Sequence, residues 1–424
     1  MKSSKKTLIA ACLLWGMASW GAYALPPIGK KSPTVIIDGV NYKLDAKNQK
    51  AKVIAGTNLY SGHVVIPAKV VVDSLSYYVE EIDGGAFKNC ITLTSIEIPE
   101  GVEKMGSNAF ENCSSLEKIT IPKSITDIKD DTFKGCSSLK EVNLHNNLNS
   151  LGSETFRQCS ALESIVIPSG IKELESQLFE ECTSLKMIDI PSGVTKIGAS
   201  AFEGCASLDS IKLPNSVKDI GNEAFKNNSS LIKFSFTSSM DEIPSNIFEG
   251  CTSLKEITIT NSIKAIRSEA FKNCSSLDSI HIPNSVTKIG SSVFEECHNL
   301  RAVNIPAGID KIPSEMFKNC ASLSEIKLPS SLKAIDSEAF RGCASLKTID
   351  IPSGVKEIGS GSFDGCASLA SATVRSGIPP KVKKDSFSKQ FQREGILYVP
   401  IPSSYKGNPK LVWSKFYNVE MIRR

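Results

Sequence analysis

GASAFEGCASLDSIKLPNSVKDI, Gly198 to Ile220, is one version of a sentence written thirteen times in this 424-residue chain. Its Phe recurs from Phe87 through Phe110 and Phe202 to Phe363, always 23 residues apart, and a Leu stands six positions after each one, from Leu93 to Leu369. A repeat of this strictness is the signature of a solenoid, in which each unit buries its apolar face only against its neighbours.

Within the unit, L-x-x-I-x-I alternates apolar and polar residues, as in Leu116, Ile119 and Ile121. That pattern predicts one short strand per coil, stacked about 4.8 Å from the next as a parallel sheet. Pro follows the strand in nine of the thirteen repeats, Pro122 and Pro191 among them. It lacks an N–H and fixes φ, so it ends the strand at the same rung. Three residues before the Phe stands Ser, Asp or Asn in eleven repeats, including Ser107, Asp130, Asn222 and Ser337. These residues accept backbone N–H bonds at helix starts, so S-x-A-F-x-x-C reads as one or two helical turns with Phe and Cys on the inner face. The expected fold is therefore an α/β solenoid of thirteen 23-residue coils, each a short strand plus a short helical turn. Its repeated core is represented by Phe110, Cys113 and Leu116 and by Phe202, Cys205 and Leu208.

A lone coil cannot hold itself. About seven inward apolar side chains at roughly 2 kcal/mol each fall short of the cost of ordering 23 backbones at about 1 to 2 kcal/mol apiece. Stacking supplies the remainder.

One repeat departs from the text. Phe225 to Glu242 reads FKNNSSLIKFSFTSSMDE, with Asn228 for Cys, Phe234 and Phe236 for the strand Ile pair and Thr237 for Pro. Larger inward rings imply a locally repacked core, and a change of curvature is the functional reading.

Outside the array, the first 24 residues place Lys2, Lys5 and Lys6 ahead of an apolar run from Leu8 to Trp20 and then Ala22-Tyr23-Ala24. That order is a secretory signal with cleavage after Ala24. A lipoprotein reading through Cys12 leaves only Leu8 to Ala11 as apolar core before the cysteine. Residues 25–80 carry strand-like alternation around Asp38-Gly39 and read as an N-terminal β cap. The solenoid spans 81–380. Residues 381–424 read as a C-terminal cap whose aromatics, Tyr405, Trp413 and Phe416 among them, cover the last coil, with glycan binding by the same cluster as the alternative.

Charge excludes some functions. The 49 Lys+Arg against 45 Asp+Glu fall to 46 against 45 once the three signal lysines are removed, and no basic stripe appears, so nothing points to nucleic acid. No later stretch is apolar and long enough to span a bilayer. Twelve cysteines sit three residues after twelve of the thirteen Phe, with Asn228 dividing them six and six. Their spacing supplies no paired ligands for zinc, so no metal or cofactor is expected. Rungs about 4.8 Å apart admit disulfides, whereas the repeated core position favours buried free thiols. The four histidines have no recurrent carboxylate or nucleophile beside them, and neither a phosphate loop nor a nucleophile elbow is present, so no catalytic residue is expected. The surface free to vary is the outward row of the sheet, and the candidate protein-binding face is Met187, Asp189, Lys212, Lys233, Glu256 and His281.

The template A-F-x-x-C-x-S-L-x-x-I-x-I-P resembles the BspA-like leucine-rich repeats, also called the TpLRR class, of bacterial surface and secreted proteins. The resemblance covers residues 81 to about 375. IDGVNYKLD and YSGHVVIP ahead of the array, and LYVP, YKG and WSKFYNV behind it, look like that family's ends. It implies a right-handed leucine-rich-repeat solenoid that is exported and not an enzyme. It also implies binding to an extracellular or host-surface protein such as fibronectin or fibrinogen, and it brings no catalytic residue to carry over.

Overall fold

The computed structural model describes residues 32–383, 385–407 and 412–422. The secretory signal and Cys12 lie outside the described residues. The chain is a solenoid with a 23-residue coil, and a typical coil runs through a strand, a turn, a second two-residue strand and a segment of consecutive turns that carries the Phe; the first strand is absent at 324–330 and reduced to a bridge at Ser210.

The expected strand is present as Lys118–Thr120, Glu141–Asn143, Met187–Asp189 and their equivalents, paired in parallel with a shift of one repeat, as in Ile165 with Ile188. Its middle residue is inward and its neighbours are outward, the alternation that the sequence pattern requires. After the strand the Pro carbonyl accepts the N–H three residues on, Ile125 to Pro122 at 3.1 Å for example, so Pro both stops the strand and closes the turn.

A second parallel row follows at the V-x-x-I segment, in pairs such as Glu173–Leu174, Lys196–Ile197 and Asp219–Ile220. After that Ile, Gly198 sits in close approach, since a Cβ on it would lie 2.4 Å from the Ser176 nitrogen of the preceding coil, whereas Lys129, Glu175, Arg267 and Asp336 hold the same slot in other coils. Where Pro244 and Pro313 replace this Gly, the N–H that would bond the previous coil is missing, and the second row is interrupted.

The helical turns expected around each Phe are replaced by a different backbone. The second residue before and the second residue after each of the thirteen Phe have positive φ, from 52° to 75°. Left-handed residues four positions apart prevent a helix. The result is an alternation in hydrogen bonding. The N–H of Phe110, of Asn108 and of Asn112 bonds to the next coil, at Thr132, Asp130 and Lys134, while N–H groups between them close four-residue turns within the coil, such as Glu111 to Asn108. This ladder continues without a gap from Gly85 to Phe363. The residues expected to cap helices serve it instead, since Ser107 and Asp130 offer their carbonyls to the previous coil and the Asp130 carboxylate accepts from Ser153 N at 2.9 Å.

Behind the ladder the Phe rings form one buried column with centroids 5.0 to 6.0 Å apart. It extends past the thirteen repeats, to Tyr60 at one end (4.7 Å from Phe87) and Phe387 at the other (5.0 Å from Phe363). The first strand row likewise continues outward, to Gly62–Val65 at the start and to Ile396–Val399 and Asn418–Met421 at the end. Ahead of it, Thr34–Ile37, Val40–Asp45, Lys50–Val53, Lys69–Val72 and Leu75–Ile82 form a mostly antiparallel sheet joined to the second row where Glu81 and Ile82 pair with Lys104 and Met105.

The twelve array cysteines are buried free thiols. From Cys113 to Cys366 each donates its S–H to the Phe carbonyl of the preceding coil, at 3.1 to 3.3 Å, so each Phe carbonyl below them takes two donors, that thiol and the N–H of its own coil's Cys. Burial pushes the thiol of Cys90 up to about 11 and those of Cys182 and Cys251 up to about 12.

Candidate functional site

The two sides of the coil carry different surfaces. On the turn side, the residue after each Phe is charged, Lys or Arg in seven coils and Asp or Glu in six, and these basic side chains pair with carboxylates of the neighbouring coil: Lys134 with Glu154, Arg157 with Glu180, Lys226 with Glu249, Lys272 with Glu295. Lys318 lies within 3.5 Å of Glu295, Glu315 and Glu338, and these partners hold its ammonium above its ordinary range, Glu315 foremost. These charges are spent on one another.

The strand side is different. Its outward residues are exposed, and three hollows lie along it. The first, about 760 Å³, gathers Met187, Asp189, Lys212 and Lys233 around one floor with Ser164, Val166, Ser210 and Ser235. Small serines between longer side chains create the hollow. The second, about 560 Å³, holds Glu256 and His281 with Ser279 and Ala302. The third, about 940 Å³, lies over 301–305 and 325–330, with Arg301, Asn304, Glu325 and Lys327 on its walls and the Asp350–Arg375 ion pair (2.6 Å) at its rim. The six candidate residues therefore fall into two neighbouring hollows.

The first hollow combines what a protein-recognition surface uses. Val166 is 83% exposed and Met187 68%, on adjacent paired strands. Among the described residues, Asp189, Lys212 and Lys233 form no ion pair, in contrast with Lys118–Glu141 at 2.7 Å further up the same face, where Lys118 holds the Glu141 carboxyl below its usual range. Exposed apolar groups ringed by uncommitted charges offer contact area and orientation together.

The third hollow was not singled out from sequence. Its only linear signal is the small Ala302 beside Arg301; its depth comes from strands that do not pair there, with residues 324–330 carrying no strand. His63 contacts Ser95 Oγ (2.7 Å) and Glu97 (3.5 Å), but His63 and Glu97 are exposed and Ser95 is only half-buried. In the tail, Trp413, Tyr405 and Phe416 are buried, with Trp413 packed on Phe387 and its indole N–H bonded to the Pro380 carbonyl at 2.8 Å. Those rings have no free face for a sugar. Among the described residues no helix is long and apolar enough to cross a membrane.

The family model described as BspA type leucine-rich repeat region (6 copies) matches residues 73–186, 173–301 and 264–394. The chain belongs to the BspA-type leucine-rich repeat family. Among solved structures, it is similar to a leucine-rich cell surface protein from Faecalibacterium prausnitzii, at 28% identity over 81% of this chain and 95% of that one, with a TM-score of 0.59. A leucine-rich repeat protein from Bacteroides ovatus matches at 24% identity over 82% of this chain and 99% of that one, TM-score 0.46. The pneumococcal vaccine antigen PcpA matches at 20% identity over 93% of this chain and 100% of that one, TM-score 0.47. No curated protein matches the sequence. Leucine-rich repeats of this family are protein-binding scaffolds, and the spacing of Phe, Cys and Leu that defines the family is used here entirely for the core.

Proposed function

We propose that this BspA-type protein is exported to the cell surface or secreted and binds a protein partner through its strand face, as an adhesin toward a host or extracellular-matrix protein. The observation that carries the reading is the first hollow, where exposed Val166 and Met187 stand beside Asp189, Lys212 and Lys233, three charges that form no ion pair among the described residues. Glu256 and His281 extend the surface along the stack. The F. prausnitzii cell surface protein supports the location, and the order of Lys2, Lys5, Lys6, the apolar run and Ala22-Tyr23-Ala24 supports export.

Binding of purified residues 25–424 to immobilised matrix proteins and to a glycan array, at two salt concentrations, tests it. Saturable protein binding that is lost when Met187, Asp189, Lys212 and Lys233 are changed together is the expected result. Binding to sugars alone, or protein binding indifferent to the four changes, overturns it. Export is read separately: mass spectrometry of the protein from the culture or cell envelope should find Leu25 as the first residue.

A further inference from the structure

The junction between the coil of Phe202 and the coil of Phe225 lacks at once, among the described residues, four kinds of link found at other junctions: a thiol bond, second-row pairing, a first-row strand pair and an ion pair. Asn228 occupies the slot of the missing thiol. Its side chain is fully buried, and neither its amide oxygen nor its amide nitrogen has a partner. The Phe202 carbonyl thereby receives no side-chain donor, unlike Phe179 before it and Phe225 after it, which accept from Cys205 and Cys251. Pro244 removes the second-row bond, so Asp219–Ile220 and Glu242–Ile243 do not pair. In the first row a single bridge, Ser210 with Lys233, remains. Among the described residues no ion pair joins the two coils. The junction between the coils of Phe294 and Phe317 also has a Pro, Pro313, and unpaired strands, yet it keeps the Cys320 thiol bond and the Lys318–Glu295 pair.

What does cross the junction lies mostly on the turn side. The ladder is intact there, with Ser200, Phe202 and Gly204 bonded to Asn222, Ala224 and Lys226, and the two rings stack at 5.5 Å and 2°. On the strand side the links are the Ile232 N–H, bonded to the Asp209 carbonyl at 3.1 Å beside the Ser210–Lys233 bridge, and the Ser229, Thr237 and Ser239 hydroxyls, bonded to the carbonyls of Ala206, Val217 and Asn215. On its other flank the Phe225 coil is fastened tightly: Lys233–Ser235 pairs with Glu256–Thr258, and Phe234 and Phe236 pack edge-on against Phe248 at 4.8 and 6.0 Å.

We propose that this junction is a seam. It opens on the strand side and pivots on the turn-side ladder, so that the blocks before and after it move and unfold as two units. An amide buried without partners costs free energy in the closed form, and local opening follows the least-fastened junction of a stack. The first hollow spans the seam, since its floor includes Ser210 to Leu213 on one side and Phe234 to Thr237 on the other.

Native-state hydrogen exchange on residues 25–424 decides this without any partner. Amides in 209–220 and 231–236 should exchange at least tenfold faster than their equivalents in 116–128 and 346–358, where Cys136 and Cys366 make their thiol bonds. N228C, which restores the family residue, should slow that exchange about tenfold and leave 116–128 unchanged. Equal protection in all four segments of the wild type, or an N228C protein whose 209–220 amides exchange as before, overturns the seam.

Discussion

The turn side and the strand side of each coil are built from the same 23 residues and yet obey different rules. On the turn side three inter-coil hydrogen bonds per junction, a stacked ring and a thiol bond repeat with almost no variation, and the surface charges neutralise one another. On the strand side pairing lapses at several junctions, serines and alanines leave hollows, and Asp189, Lys212 and Lys233 form no ion pair among the described residues. Invariance therefore belongs to the spine and variation to the strands, and a scaffold with one uniform side can change its other side without losing its stack. The turn side should respond to substitutions and pH with stability, and the strand side with binding.

The largest effect should come from the thiol column under alkali. An unfolded thiol ionises near pH 8.5, whereas burial holds Cys182 and Cys251 up to about 12. Above pH 8.5 the unfolded chain releases protons that the folded chain keeps, so the stability is whole below that pH and falls as pH rises toward 12. At pH 10 the loss is about 2 kcal/mol for each such thiol, and several together exceed the stability of an ordinary domain, about 5 to 15 kcal/mol. Circular dichroism against pH should show cooperative melting between about pH 9 and 10.5, and Cys182→Ala should lessen the dependence by that one thiol's share, about 2 kcal/mol at pH 10. A flat profile to pH 11 would mean that the thiols are not the buried donors described above.

Next in size is Phe202→Ala. The ring is fully buried between Phe179 and Phe225, each 5.5 Å away, and its removal should cost about 3 to 5 kcal/mol in denaturant unfolding. Lys318→Met on the turn-side surface should cost roughly 1 kcal/mol, because three carboxylates then face one another, and 1 M salt should remove most of the difference.

Much of the spine was legible in linear sequence, though not its backbone. Phe110, Cys113 and Leu116 could be placed inward because their spacing is exact and their chemistry apolar. The left-handed positions could not, since Asn108, Glu154, Gln177, Ser200 and Gly361 share that slot with no common propensity. Only a bond to a residue 22 positions away holds them there, and local rules read the same segment as a capped helix. The second strand row was hidden for a similar reason: Lys196–Ile197 is too short to show alternation, and its partner is one coil distant. Of the candidate site, exposure was readable from the alternation around Ile188 and Ile211. The hollow was not, because it depends on which side chains 23 residues apart stand beside one another, as Met187 stands beside Ser164.

The smallest structural effect should come with the clearest functional one. Val166→Ser together with Met187→Ser removes exposed apolar groups that touch nothing in the core, so stability should stay within about 0.5 kcal/mol of the wild type. If these two side chains are the anchors of a protein interface, truncating them should weaken binding by about 2 kcal/mol, roughly 30-fold in Kd. The pair thus separates the two sides of the coil in one protein. A melting temperature that drops with binding intact would make Val166 and Met187 part of the stack, and the strand face would then be a second spine. A melting temperature that holds while binding falls would leave the turn side as the scaffold and the hollow over Met187 as the surface it exists to present.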